Sequence, residues 1–286
     1  MVESLRGVFA ARGFGEVRTP ALEYEQVLTR GDPAAADPAY KLFDEQGNVL
    51  VLRSDMTIPI ARVVSARYAN ANPPLRFCYV AHAYRSVRPQ RGQDREMLQA
   101  GIELVGAPGP EGTAEALVVL CEALVAAGVE NWRIGLGDAS LYPRLLDRIG
   151  VPAGARAQIL HELVTRDYVG LQREVERFGA PELLELPQRR GGPEVLDAPE
   201  TAQLAEMHAL LPPDVAARVI FDLGLTRTLG YYTGAVFEVY DAALGTPIGG
   251  GGRYDDLLGR FGRELPACGW ALDVERLHAA RGGEGR

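Results

Sequence analysis

An α+β fold is expected for this chain: a mainly antiparallel sheet flanked by helices and interrupted by a helical insertion. Two β-favouring runs, at 75–84 and about 95–105, flank a short polar loop and read as an antiparallel pair. A helical texture fills 140–213, and strand patterning returns at 217–223 and 232–240. Regular strand–helix alternation is missing, which argues against a doubly wound parallel sheet. The core is assigned to residues 1–139 and 214–286, and the insertion to 140–213.

The elements follow in order. Residues 2–12 form a short helix that Gly13-Phe14-Gly15 breaks, and Glu16 to Pro20 reads as a strand. Leu42 and Phe43, a turn at Glu45-Gln46-Gly47-Asn48 and then Val49 to Arg53 read as a hairpin. Asp55 can cap a helix over about 57–69. Thr113 starts a helix with apolar residues at Leu117, Leu120, Leu124 and Val125, and Gly128 closes it. Residues 131–137 form a short strand. Within 140–211 the helical pattern is broken at Gly150, Gly170, Gly179 and the loop Pro187 to Pro193. The run Gly249 to Gly252 reads as a flexible turn ahead of a helix at Arg253 to Phe261. The apolar Gly269 to Leu272 leads into a final helix, Asp273 to Ala280, and Arg281 to Arg286 reads as a frayed tail.

Composition narrows the function classes. With 286 residues and 47% hydrophobic content, the chain can fill one large core. It has no apolar stretch long enough to span a membrane and no basic, apolar leader at Met1, so a cytoplasmic location is expected. Cys78, Cys121 and Cys268 are far apart and read as small buried hydrophobes; with His82, His161, His208 and His278 also scattered, no metal site is expected. Lys41 is the single lysine, which removes most options for Schiff-base or P-loop chemistry. The net charge of −8 does not suggest a nucleic-acid-binding surface.

Four segments can carry chemistry. Leu52-Arg53-Ser54-Asp55-Met56-Thr57 joins a strand end to a helix start; its carboxylate and hydroxyl can face a ligand ammonium, or Asp55 can serve as a plain N-cap. The loop from Tyr84 to Arg95 holds Arg85, Arg88, Arg91 and Arg95, suited to phosphate or carboxylate oxygens, or it is a solvated hairpin tip. On the next strand, alternation puts Gln99, Gly101 and Glu103 on one face. Gly101 there leaves open space between two polar side chains, either a polar pocket or a solvent-facing surface. Arg227 with Tyr231 and Tyr232 can offer a cation and hydroxyls, or form an ordinary turn into an aromatic strand. The glycines before Arg253-Tyr254-Asp255 let backbone approach a ligand, but no lysine or hydroxyl follows to make a mononucleotide loop.

Taken in order, these segments resemble the class II aminoacyl-tRNA synthetase core, specifically histidyl-tRNA synthetase. GFGEVRTPALE at 13–23 is similar to motif 1, with Pro20 where that family places a dimer-interface proline. Residues 76–106 resemble motif 2, RTLGYYTGAVFE at 227–238 and GGGRYDDL at 250–257 the histidine-specific signatures, and GWALDVERL at 269–277 motif 3, with Arg276 as its arginine. The resemblance implies that Asp55, Thr57 and Gln99 grip a histidine ammonium group. It implies that Glu103, Tyr232 and Tyr254 surround the imidazole and that Arg227 lies near the carboxylate. Arg85 and Tyr231 complete the expected histidine-binding set.

The departures from the synthetase pattern point to a regulatory relative. Asp55 replaces a Glu, Val87 replaces the Glu that holds adenine, and Gly230 replaces the Asp of RGLDYY. The chain stops after motif 3, so no anticodon-binding domain and no tRNA partner are expected. The Asp-Met-Thr variant at 55–57 is similar to the truncated paralogues that serve as regulatory subunits of short-form ATP phosphoribosyltransferase. That resemblance implies a homodimer, through the motif 1 region, within a hetero-oligomer with the catalytic subunit of the first step of histidine biosynthesis. It further implies histidine as allosteric effector, and no catalytic residue, metal, cofactor or membrane contact on this chain. No phosphoribosyl-pyrophosphate loop is recognisable, since Asp255-Asp256 sits at an expected helix start. A histidine-adenylating enzyme, a truncated synthetase and a stand-alone amino-acid-binding or scaffold protein are the alternatives.

Overall fold

The computed structural model describes residues 1–33, 39–86, 94–225 and 230–282. Val87, Arg88, Arg91, Arg227 and the tail beyond Gly282 lie outside the described residues. A nine-stranded sheet crosses the molecule. Its spatial order is Gly15–Glu16, Leu75–Tyr84, Glu96–Val105, Ala267–Asp273, Gly249–Arg253, Ala235–Asp241, Trp132–Asp138, Val219–Asp222 and Arg190–Gly191. Pairing is antiparallel except where Gly15–Glu16 meets Leu75–Tyr84 and where Trp132–Asp138 meets Val219–Asp222. A second sheet of three strands, Leu22–Tyr24, Val49–Leu52 and Lys41–Phe43, stands apart from the first.

The two faces of the large sheet have different tasks. One is packed by the helices Val2–Ala11 and Glu111–Ala127. Leu117, Leu120 and Leu124 are fully buried there, each worth about 1.5–3 kcal/mol relative to exposure. Trp270 projects from its strand onto Phe9, with ring centroids 5.8 Å apart, and its indole N–H donates to Ala116 O at 2.9 Å. Gly128 ends the longer helix in the left-handed region at φ 79°, where a glycine has no Cβ penalty. The other face is covered in part by the helix Thr57–Arg67 and is left open over the middle of the sheet.

Residues 141–216 contain six α-helices and the short edge strand Arg190–Gly191. Leu145, Leu163, Leu171, Leu183 and Met207 from this stretch are buried in the same apolar cluster as Leu117 and Trp270. No helix among the described residues is long and apolar enough to cross a membrane.

The glycine run is where local reading and structure part. Gly249–Arg253 is a strand in the interior of the large sheet, not a turn, and only a 3₁₀ turn at Leu258–Phe261 stands in place of the helix expected over 253–261. Glycine has low β-propensity, but here neighbours on both sides supply ladder hydrogen bonds and come too close for side chains. A Cβ on Gly251 would lie 2.6 Å from Trp270 Cβ, and one on Gly252 would lie 2.7 Å from Tyr232 Cδ1. The strand expected at Glu16 to Pro20 is confined to Gly15–Glu16, beyond which Val17 makes one further bond to Cys78 O, at 2.9 Å.

Candidate functional site

The register of the large sheet lines up a row of small residues across its open face. Ile220, Gly135, Glu238, Gly250, Ala271, Gly101 and Tyr79 sit opposite one another on seven adjacent strands. Side chains opposite each other share a face, so the glycines and the alanine make a trough with Glu238 and Tyr79 rising from it. A cavity of about 230 Å³ lies over this trough. It is lined by Asp55, Thr57, Tyr79, Arg85, Gln99, Tyr231, Tyr232, Glu238, Asp273 and Arg276, together with apolar and glycine residues of the strands. That volume is below the roughly 300–1,000 Å³ of sites for drug-sized ligands and suits a smaller metabolite.

Asp55 reaches the cavity because Arg53 anchors the strand end before it. The Arg53 guanidinium is buried and donates to His82 O at 2.8 Å, Thr19 O at 2.6 Å and Pro20 O at 3.0 Å, stapling the first segment of the chain to the sheet. Asp55 Oδ1 accepts the Ile58 N–H at 3.0 Å, so one oxygen of this carboxyl group caps the helix start while the residue also lines the cavity. Among the described residues, Oδ2 is buried without a hydrogen-bond partner. Burial raises the Asp55 pKa, and the Ile58 N–H and the nearby Arg85 charge only partly oppose this.

Glu103 and Tyr254 do not line the cavity but sit behind its wall. Glu103 is 1% exposed; Thr57 Oγ1 donates to its Oε1 at 2.7 Å, and Tyr254 Oη donates to Oε2. Burial pushes the Glu103 carboxyl up to about 8 against these two donors, with the Asp55 charge adding to the rise. The rings of Tyr231, Tyr232 and Tyr254 pack together at 4.9, 5.7 and 6.4 Å between centroids. The structure therefore brings Asp55, Thr57, Arg85, Gln99, Tyr231 and Tyr232 into one cavity and stacks Glu103 and Tyr254 beneath them. Arg227 lies outside the described residues.

Other positions emerge only from the register. Gly101 does not open the space expected from its strand alone: Tyr79, opposite it, lies over the glycine, with its hydroxyl 2.5 Å and its Cζ 2.6 Å from where a Cβ would stand. Glu238, which accepts a hydrogen bond from Tyr240 Oη, and Asp273, 3.6 Å from Arg276 Nε, place two more carboxylates at the cavity. Arg276 Nη1 donates to Pro247 O at 2.7 Å. Gly269 lies next to the buried Glu103 carboxyl, whose Cδ would be 2.8 Å from an added Cβ. Gly269→Ala is expected to cost about 1–3 kcal/mol by overpacking. Urea denaturation measures this, and an unchanged midpoint would mean the strands can part to admit a methyl group.

Comparison with known proteins decides the family. The histidyl-tRNA synthetase family model matches residues 1–277. A Symbiobacterium thermophilum protein named ATP phosphoribosyltransferase regulatory subunit is 40% identical over 98% of this chain and 75% of its own length. The chain belongs to this regulatory-subunit family. A Moorella thermoacetica member is also 40% identical, over 98% of this chain and 77% of that protein. Among solved structures, the regulatory subunit/histidyl-tRNA synthetase of Bacillus halodurans superposes with a TM-score of 0.88 at 29% identity, covering 99% of this chain and 78% of that one. The histidyl-tRNA synthetase of a Nostoc species, at 19% identity and TM-score 0.74 over 97% of this chain and 70% of its own, shares the fold. The regulatory-subunit family is thus built on a synthetase core, and the trough described above lies on that core's open sheet face.

Proposed function

We propose that the cavity binds free histidine, and that the chain regulates a separate short-form ATP phosphoribosyltransferase catalytic subunit, in the first step of histidine biosynthesis, without catalysing a reaction itself. The observation that carries this reading is the buried Oδ2 of Asp55 at the cavity, which has no hydrogen-bond partner among the described residues. Leaving such an acceptor unpaired costs about 1–3 kcal/mol, which a ligand ammonium group offsets. Thr57 and Gln99 add polar groups beside it, Arg85 supplies a cation for a carboxylate, and Tyr231 and Tyr232 offer walls for a flat ring. The catalytic subunit is activated by association, and histidine shifts the assembly toward an inhibited state because it binds the two states with different affinity.

The test is reconstitution. Mixing this chain with the catalytic subunit is expected to start phosphoribosyl-ATP formation, and added histidine to suppress it. A partner whose rate does not change on mixing would sink the regulatory reading; a flat calorimetric titration with histidine would sink the effector. Arg85 and Arg276 share the cavity, which favours adenylation as a second reading. Histidine-dependent ATP–pyrophosphate exchange separates the two and is expected to be absent, since Val87 replaces the adenine-holding Glu. No tRNA partner is proposed, and the chain is placed in the cytoplasm.

We further propose that residues 140–213 are an insertion: the strands before and after them, Trp132–Asp138 and Val219–Asp222, pair directly, in parallel. Homodimerisation is proposed through the motif 1 region and the small sheet beside it. Tyr24, Leu50 and Leu42 stand in one row of that sheet and Leu22 and Leu52 in the next, all on one face; Leu22, Tyr24 and Leu42 are exposed. Leu42→Asp is expected to leave a folded monomer by sedimentation velocity. A variant that remains dimeric would place the interface elsewhere.

A further inference from the structure

Asp32 belongs to none of the segments that the sequence singles out, yet it is 2% exposed and joins two distant parts of the site. It follows the helix Glu25–Gly31, and its own N–H donates to Leu28 O at 2.8 Å, so that helix sets its backbone. The helix end is held from two sides. Gly31 packs on Ile58, whose Cγ2 would lie 2.7 Å from an added Cβ, and Gly31 O accepts from the Arg260 guanidinium. Ile58 is in the first turn of the helix that Asp55 caps.

Across this junction Asp32 Oδ2 accepts the N–H of Gly230 at 2.9 Å. Gly230 directly precedes Tyr231 and Tyr232, which form one wall of the cavity. A Cβ on residue 230 would stand 3.2 Å from Asp32 Oδ1 and 3.7 Å from its Cγ. A carboxylate borne by residue 230 would therefore compete for the space that Asp32 fills. Glycine at 230 leaves that space to a carboxylate arriving from another element.

We propose that Asp32 is a positioning residue of the histidine site, holding the entry to the Tyr231–Tyr232 wall against the helix end beside Asp55. This deepens the histidine-binding reading and rests on it for its effect on affinity.

Amide hydrogen exchange and calorimetry on the full chain test the proposal together. In Asp32→Ala, exchange at the Gly230 amide is expected to rise about tenfold or more, while the amides of Glu111–Ala127 keep their protection; the dissociation constant for histidine rises by about tenfold or more. Asp32→Asn, whose amide oxygen can still accept the N–H, is expected to stay within about threefold of wild type. The exchanged pair Asp32→Gly with Gly230→Asp is expected to recover part of the affinity lost in Asp32→Ala. Unchanged Gly230 exchange in Asp32→Ala overturns the proposal, as does wild-type affinity in a variant whose Gly230 amide has lost protection. If Asp32→Ala does not fold, Asp32→Leu, which fills similar space without an acceptor, decides: a folded variant whose Gly230 amide keeps its protection overturns the claim. A wild-type chain that fails to bind histidine sinks the ligand reading instead, and exchange at Gly230 still decides whether Asp32 holds this segment.

Discussion

Asp55→Asn is expected to weaken histidine binding by about two orders of magnitude, within the roughly 2–5 kcal/mol cost of truncating one partner of a buried charge pair. The substitution is close to isosteric. Its side-chain oxygen can still accept the Ile58 N–H, so the helix start is kept. What disappears is the negative charge on the buried oxygen that faces the cavity. The ligand-free chain should not be destabilised, because burial already disfavours the charged form of Asp55 in the fold. Calorimetry for the dissociation constant and a thermal melt of the ligand-free variant separate the two effects. Wild-type affinity in a well-folded Asp55→Asn protein would mean that Asp55 is not the ammonium acceptor. Because its pKa is raised, affinity of the wild type should begin to fall on acidification at a higher pH than for an exposed aspartate.

Glu103→Gln is expected to flatten the pH dependence of stability in the ligand-free protein. The Glu103 carboxyl is raised from 4.5 to about 8 by burial, so between those values the folded chain binds more protons than the unfolded one. Stability then falls as pH rises through this window. The penalty is absent below the unfolded value and complete above about 8, where it amounts to a few kcal/mol to order of magnitude. Glutamine carries no charge, and its amide can accept from Thr57 and donate to Tyr254 Oη, so both hydrogen-bond positions stay filled. Urea unfolding at pH 5.5 and pH 8.5 checks this: the wild type should lose stability across the interval and the variant should gain relative to it at the higher pH. Parallel profiles for the two proteins would show that Glu103 is ionised in the fold throughout.

Much of the architecture was legible in one dimension. The strands at Leu75–Tyr84 and Glu96–Val105 and the helix closed by Gly128 fall within a residue or two of where pattern placed them, because alternation, helical period and a glycine stop are local signals. Asp55, Thr57 and Gln99 could be picked because each lies at an element start or on a face set by alternation. The glycine run resisted this logic. Its strand exists because Ala235–Asp241 and Ala267–Asp273 pair with it from either side, and neither partner is adjacent to it in sequence. Tyr79, Glu238 and Asp273 were not singled out for the same reason, since their shared cavity is a product of register across strands.

The order of short motifs was sufficient to name the family, since chain order survives however the chain is folded. It was also sufficient to set the polar character of the pocket: a carboxylate, hydroxyls and arginines are chemistry written in residue types. Depth and contact are different in kind. That Glu103 is buried behind the wall with Tyr254, that Tyr79 covers Gly101, and that Asp32 reaches Gly230 from 198 residues away depend on which surfaces close on one another. Burial and close approach are properties of pairs brought together by packing, and spacing along one strand carries no information about the partner across it.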